Sequence, residues 1–407
     1  MLLTILFSGC REKSGFGNPA SAGRHANNAA ETAEYRAAKD AAARIAAALD
    51  DRQLAAQVII SGIDGRERLT GDMRLLLSQC PAGGIMLFRY NLNTGNDEIR
   101  SLIAEAAALV AQENTVELPD ESIASILPFV ATDHEGGSVN RFRRGVADMP
   151  PAASYWEAAQ NNGRESAVAQ IGGDSFGAGT VIAALGINLN FAPVAECLDD
   201  DNRDFLDDRS YGQQADFVSK AAAAYIMGMD RAGVLCAVKH FPGSAGADPH
   251  RFPSVLLCDI DALAELVSPF AALIQDGHAR AIMVSHSSVP ALDGENIASL
   301  SPQIMGRWLR QELGFAGIII CDDFSMASAG SPAAAGAAAS SRPETLAVRS
   351  LAAGADMVLV WPPDLRRTHR AILAALDDGT LSRECLREAA QRILFEKLRM
   401  GLVVQDD

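Results

Sequence analysis

Aromatic residues are scarce in this chain of 407 residues, at 6%. Basic residues are also outnumbered: 35 Lys and Arg stand against 51 Asp and Glu, a formal net charge of −16. Nucleic-acid binding needs a basic face that releases counterions, so this balance excludes a nucleic-acid partner and leaves room for an anion only in a basic pocket inside an acidic surface. No apolar run approaches the roughly 18 residues of a spanning helix, which excludes a multi-pass membrane protein. The seven cysteines include no Cys-x-x-Cys pair and no close Cys/His spacing. No structural metal is expected, and Cys197, Cys236 and Cys321, in or beside apolar runs, read as buried free thiols. What is abundant is apolar: 48% hydrophobic residues suffice for a large core and exclude disorder, collagen-like and small disulfide-scaffold classes.

The N-terminus differs from the rest. Met1 to Phe7 is apolar and Ser8-Gly9-Cys10 follows, which resembles the end of a bacterial lipoprotein signal peptide with Cys10 as the lipidated residue. The apolar part is short and lacks preceding basic residues, so the other reading is an unanchored cytoplasmic N-terminus. Residues 11–30, rich in Gly, Asn, Ser and Ala, read as a polar tether. The expected division is a signal segment at 1–10, a linker and Ala-rich helix at 11–45, and one catalytic domain at 46–407.

From there apolar runs alternate with amphipathic segments. Eight runs, 58–61, 84–88, 129–132, 187–191, 235–239, 281–285, 318–321 and 357–360, are continuous rather than alternating, as strands buried on both faces are. Helical patterns follow them, for example at 216–232, 259–277 and 302–313. Eight strand–helix units predict a (β/α)₈ barrel, with an open doubly wound sheet as the alternative. The Ala/Gly/Ser stretch 327–343 reads as a loop, and 381–400 as an amphipathic helix capped by Ser382.

In such a barrel the chemistry sits at the C-terminal ends of the strands. Asp133-His134-Glu135-Gly136-Gly137, Lys239-His240-Phe241-Pro242-Gly243, Ser285-His286-Ser287 and Asp322-Asp323-Phe324-Ser325-Met326 all stand at such ends. A rigidly held carboxylate such as Asp322 suits a nucleophile. His250 suits a proton carrier, because Asp248 two positions earlier can orient its ring and Pro249 stiffens the link. Asp-Pro-His by itself is equally an ordinary surface turn.

Together these segments resemble family three of the glycoside hydrolases, specifically its single-domain β-N-acetylglucosaminidase branch, over residues 57–401. Gly83-Gly84-Ile85-Met86-Leu87-Phe88, the stretch from Asp133 to Phe142, Asn190-Phe191-Ala192-Pro193-Val194, Arg209-Ser210-Tyr211-Gly212, Lys239 to Gly243, and Leu309 to Phe315 leading into Asp322 carry the resemblance. It implies a retaining exo-hydrolase for terminal β-linked N-acetylglucosamine on cell-wall fragments or chitin-like oligosaccharides. Asp322 would be the nucleophile, His250 backed by Asp248 the acid/base, and Asp133, Arg141, Arg209, Lys239 and His240 the sugar-binding set, while Asp323 supports local structure. No cofactor or metal is implied; the partner is a small carbohydrate, and a monomer is expected.

The loop from Gly243 to Asp248 is shorter than the family's usual stretch, with Ser244 and Ala245 where a second histidine and a glycine are common, and Asp-Pro-His replaces Asp-Ser-His. These departures bear on the leaving group more than on the reaction. The alternatives are a β-N-acetylglucosaminide phosphorylase or β-glucosidase of the same family and, from another class, a non-catalytic glycan-binding lipoprotein.

Overall fold

The computed structural model describes residues 32–143, 145–246, 248–330 and 342–406. The expected signal segment with Cys10, most of the tether and the low-complexity stretch from residue 331 to 341 lie outside the described residues. The chain divides into residues 1–37 and a compact unit of residues 38–407, to which the barrel and its site belong. Ala42, Ile45 and Ala46, on the helix Ala33–Ala48, are already part of this unit's core.

Eight strands close into a parallel barrel: β1 (Ile59–Gly62), β2 (Gly84–Met86), β3 (Phe129–Thr132), β4 (Leu189–Asn190), β5 (Leu235–Phe241), β6 (Ala281–Val284), β7 (Ile318–Cys321) and β8 (Met357–Val360). Each strand pairs with its sequence neighbours, and β8 closes on β1 with Ile60 opposite Leu359. The barrel reading of the eight apolar runs therefore holds, and the open-sheet alternative does not. The strands are buried on both faces because helices cover the outside and side chains fill the inside, which is why they read as continuous apolar runs.

Two details differ from expectation. The helical run at 259–277 is two helices, Ile260–Leu266 and Ser268–Gln275, because Pro269 has no N–H to continue the first one. Strand β5 runs two residues beyond 239, and its register against β6 slips: Val238 faces Ile282, but Phe241 faces Val284. This bulge places consecutive side chains, Lys239 and His240, at one cavity instead of on opposite faces. The last helix, Arg383–Arg399, starts as read, with Ser382 accepting from the Cys385 N–H at 3.0 Å. Cys236 and Cys321 are buried free thiols, and Cys197 is half-buried.

Candidate active site

The C-terminal ends of the strands open into a cavity of about 1010 Å³. On one side the segment after β3 forms a tight hairpin in which His134–Gly136 pairs with Val139–Asn140. Gly136 and Gly137 both have positive φ, and a Cβ on Gly137 would stand 2.5 Å from Pro151, so only glycine makes this turn. The hairpin brings Arg141 back onto Asp133, Nη2 to Oδ2 at 3.0 Å. The strand period then sorts the side chains: Asp133 and Glu135 face the cavity, and His134 faces away.

Lys239 joins the two carboxylates, with Nζ 3.0 Å from Asp133 Oδ1 and 2.6 Å from Glu135 Oε1. Arg209 grips Glu135 with both arms, Nε to Oε2 at 2.8 Å and Nη2 to Oε1 at 2.9 Å, and its guanidinium lies over the Phe205 ring. His240 presents Nδ1 to Glu196 Oε1 at 2.6 Å. Burial pushes the Asp133 and Glu135 carboxyls up, but the neighbouring Lys239, Arg141 and Arg209 reverse this and hold both below the usual carboxylate range. Lys239 and Arg209 are correspondingly raised despite burial, so all four groups are charged. Taking ion pairs out of water is at best a weak source of stability, so a buried cluster of this size points to recognition of a polar ligand.

Across the cavity, Asp322 follows β7, with its backbone N–H on Val284 O and its Oδ1 accepting from the Asp323 N–H at 2.8 Å. Asp323 is engaged elsewhere. It accepts from Trp361 Nε1 at 2.5 Å and from the Ser325 N–H and Oγ, and burial raises its pKa. Trp361, just past β8, stacks on Phe88, just past β2, at 4.2 Å and 14°. Gly62, at the end of the intervening β1, lies against Phe88, and a Cβ there would press at 3.2 Å on both Phe88 and Pro362.

The third part is the loop after β5. Asp248 Oδ1 accepts from both the ring Nδ1 of His250, at 2.7 Å, and its backbone N–H, at 2.9 Å. Burial pushes the Asp248 carboxyl up, but these bonds from His250 outweigh it and hold the group below its usual value. The His250 side chain is 65% exposed and lines the same cavity as Asp322. Gly246 N–H donates to Asp201 O at 2.7 Å, Ala245 N–H to Ser254 Oγ at 3.0 Å, and Ser328 N–H to Pro249 O at 3.1 Å, which fix the loop at three points.

The structure thus brings Asp133, Arg141, Arg209, Lys239, His240, Asp248, His250 and Asp322 to one cavity. Two other histidines at strand ends have different roles. His286 is neutral and committed: Nε2 donates to Asp323 O at 3.0 Å, Ser299 Oγ donates to Nδ1 at 2.7 Å, and burial lowers its pKa. His134 is buried against Phe142, its pKa pushed down to about 4 by burial, and its backbone is held by Asn190. Glu135 and Trp361 also line the cavity, Glu196 supports it through His240, and sequence reasoning assigns none of the three to it. Glu135 was accessible, since it stands two residues beyond Asp133 on the same face; Glu196 and Trp361 carry no local signal. Among the described residues no group of His, Cys, Asp and Glu forms a metal site.

The sequence matches the Glycosyl hydrolase family 3 N terminal domain over residues 51–395. A beta-hexosaminidase of Methylococcus capsulatus is 34% identical over 329 residues, 79% of this chain and 88% of its own. One of Idiomarina loihiensis is 33% identical, over 75% of this chain and 83% of its own. Among solved structures, a family 3 β-N-acetylglucosaminidase from Paenibacillus sp. superposes with a TM-score of 0.74 at 28% identity, over 87% of this chain and 63% of that one. NagZ from Neisseria gonorrhoeae, solved with N-trifluoroacetyl-D-glucosamine, superposes at 0.65 and 27% identity, over 83% of this chain and 89% of its own. A closed parallel barrel with a carboxylate after β7, a charged cradle after β3 and β5, and a match spanning most of the chain lead to one conclusion: the protein belongs to glycoside hydrolase family 3.

Proposed function

We propose that the protein is a retaining exo-β-N-acetylglucosaminidase that removes terminal β-linked N-acetylglucosamine from cell-wall fragments or chitin-like oligosaccharides. The observation that carries this reading is the position of Asp322 and of His250, held by Asp248, on one cavity whose other side is the Asp133–Lys239–Glu135–Arg209 cradle. The cradle offers carboxylate oxygens to sugar hydroxyl donors and cationic N–H groups to sugar oxygens, each contact worth roughly 1.5–3 kcal/mol.

Chemistry then follows from the two sides. Asp322 attacks the anomeric carbon while His250 Nε2 gives its proton to the leaving oxygen; the glycosidic bond breaks and a glycosyl ester forms on Asp322. His250 next takes a proton from water, whose oxygen attacks the same carbon and releases the Asp322 carboxylate. Asp248 fixes the proton on Nδ1 when the ring is neutral, so Nε2 is the nitrogen that gains and loses the mobile proton. Two carboxyl groups about 5–5.5 Å apart are the usual arrangement in retaining enzymes, and a histidine acid departs from it. The test is release of aryl alcohol from an aryl β-N-acetylglucosaminide, with accumulation of the glycosyl ester on Asp322 under a slow substrate; an inert protein between about pH 5 and 8 would refute the reading.

A second reading is phosphorolysis, favoured by an imidazole at His250 where a carboxylate would repel an incoming phosphate. Sugar 1-phosphate formed in phosphate buffer would decide for it. We further propose that Cys10 carries a lipid anchor, which mass spectrometry of the mature N-terminus tests.

A further inference from the structure

His240 lines the cavity, and Glu196 holds it from behind. Glu196 is brought there by an extension of the β4–β5 ladder: Lys239 N–H donates to Pro193 O at 3.0 Å and Ala195 N–H to Lys239 O at 2.8 Å. One oxygen, Oε1, receives both the ring Nδ1 of His240 at 2.6 Å and its backbone N–H at 3.2 Å. The other, Oε2, is buried with no hydrogen-bond partner. Isolated buried acceptors are costly, so a carboxylate kept here at that cost has a role beyond packing.

The two ring nitrogens of His240 face groups of opposite kind. Nδ1 faces an acceptor, the Glu196 carboxylate. Nε2 is 3.5 Å from Arg209 Nη2, and a guanidinium can only donate. A hydrogen on Nε2 would point at the Arg209 N–H donor, and a bare Nδ1 would set its lone pair against that of the Glu196 oxygen. Both ends therefore select the tautomer with hydrogen on Nδ1.

We propose that Glu196 is a positioning residue that fixes His240 in the Nδ1–H tautomer, so that the Nε2 lone pair, which Arg209 engages only at 3.5 Å while committed to Glu135 at 2.9 Å, meets the terminal sugar as a hydrogen-bond acceptor. The proposal rests on the reading of the cavity as the sugar site. It gives the cradle a selectivity rule: at His240 the ligand must supply a hydroxyl hydrogen. A sugar whose group there is deoxy or O-alkylated forfeits the contact, and an acceptor-only group such as a carboxylate meets a lone pair.

The experiment is a two-bond ¹H–¹⁵N correlation spectrum of the full chain labelled with ¹⁵N-histidine at neutral pH, with the His240 signals assigned by their loss in His240→Gln. Hydrogen on Nδ1 in the parent is expected. In Glu196→Gln the amide can donate as well as accept, so the Nε2–H tautomer should grow, and KM for an aryl β-N-acetylglucosaminide should rise about tenfold while kcat changes by less than about threefold. Hydrogen on Nε2 in the parent, or a variant with unchanged tautomer and unchanged KM, would overturn the assignment. Should Glu196→Gln fail to fold, the parent spectrum alone decides. Absence of turnover by the parent would remove the functional reading, and the spectrum of the free protein would still confirm or overturn the role of Glu196.

Discussion

Asp248 receives two hydrogen bonds from a single residue, His250, one from its ring and one from its backbone, both on Oδ1. The backbone bond fixes where the ring stands and the ring bond fixes which nitrogen is free. Replacing Asp248 with Asn keeps the size of the side chain but offers an amide N–H that can pair with Nδ1 and move the hydrogen to Nε2. We expect kcat to fall about 10²–10⁴-fold with KM within a few-fold. The fall should be smaller for aryl glycosides whose leaving group needs little protonation, which steady-state kinetics on a series of such substrates checks.

Asp322→Asn leaves the cradle intact, since Asp322 takes no part in its ion pairs. Turnover should drop at least about 10⁴-fold while N-acetylglucosamine still binds, with Kd within about threefold of the parent by calorimetry. Residual activity above one-hundredth of the parent, about 2.7 kcal/mol in barrier, would refute the nucleophile assignment.

Glu135 holds two cations at once, Arg209 and Lys239, and its side chain is 5% exposed. Glu135→Gln removes the negative charge from between them, which leaves Arg209 without its carboxylate and Lys239 with Asp133 alone in a buried site. A loss of about 3–5 kcal/mol in unfolding free energy is expected, together with a rise in KM, from denaturant titration and kinetics. Asp133→Asn should cost less, because Lys239 retains Glu135 and the cation it strands, Arg141, is 32% exposed where Arg209 is 13%.

Lys397 is a separate case, outside the catalytic cavity. It is wholly buried, donates to Gln57 Oε1 at 2.8 Å, lies 5.3 Å from the centre of the Phe129 ring, and has no carboxylate in ion-pair range among the described residues. Burial lowers its pKa from 10.5 to about 7. Between these two values the unfolded chain holds a proton that the folded chain has released. Stability from this residue therefore rises with pH across that window and is lowest below about pH 7, where the charged ammonium is buried. Lys397→Met should stabilise the protein by about 1–3 kcal/mol at pH 6, with the gain shrinking as pH approaches 10. Thermal unfolding of parent and variant across that range checks it, and a pH-independent difference would refute it.

Much of the fold was legible because burial on both faces makes barrel strands continuous apolar runs, and all eight stand out that way. The residues at their C-terminal ends were legible for the same reason, since a polar residue directly after such a run sits where the strand leaves the packed wall and meets the cavity mouth. His134 and His286 show the limit. Strand parity turns one away from the cavity, and the other is engaged at both nitrogens, by Asp323 and Ser299, at distances along the chain that no local pattern reveals. Glu196 was illegible because its partner His240 lies 44 residues away, and Trp361 because its partners Phe88 and Asp323 reach it across strands. The bulge that sets Lys239 and His240 side by side has no signature in composition either.

The contrast in exposure between the cradle and the dyad has its own consequence. Lys239 and Glu135, at 4% and 5%, are anchored in the barrel wall, whereas His250, at 65%, is carried on a loop above it. On the proposed reading, the ordering of the sugar-binding groups is therefore completed during folding, and little of it is left for the binding step. The proposed proton carrier, by contrast, sits on a short peripheral segment whose hydrogen bonds, to Asp201, Ser254 and Ser328, touch none of the cradle ion pairs. On the proposed reading, sugar recognition and leaving-group tolerance rest on separate parts of the chain, and a change in the Pro249 loop is the one that costs the fold least.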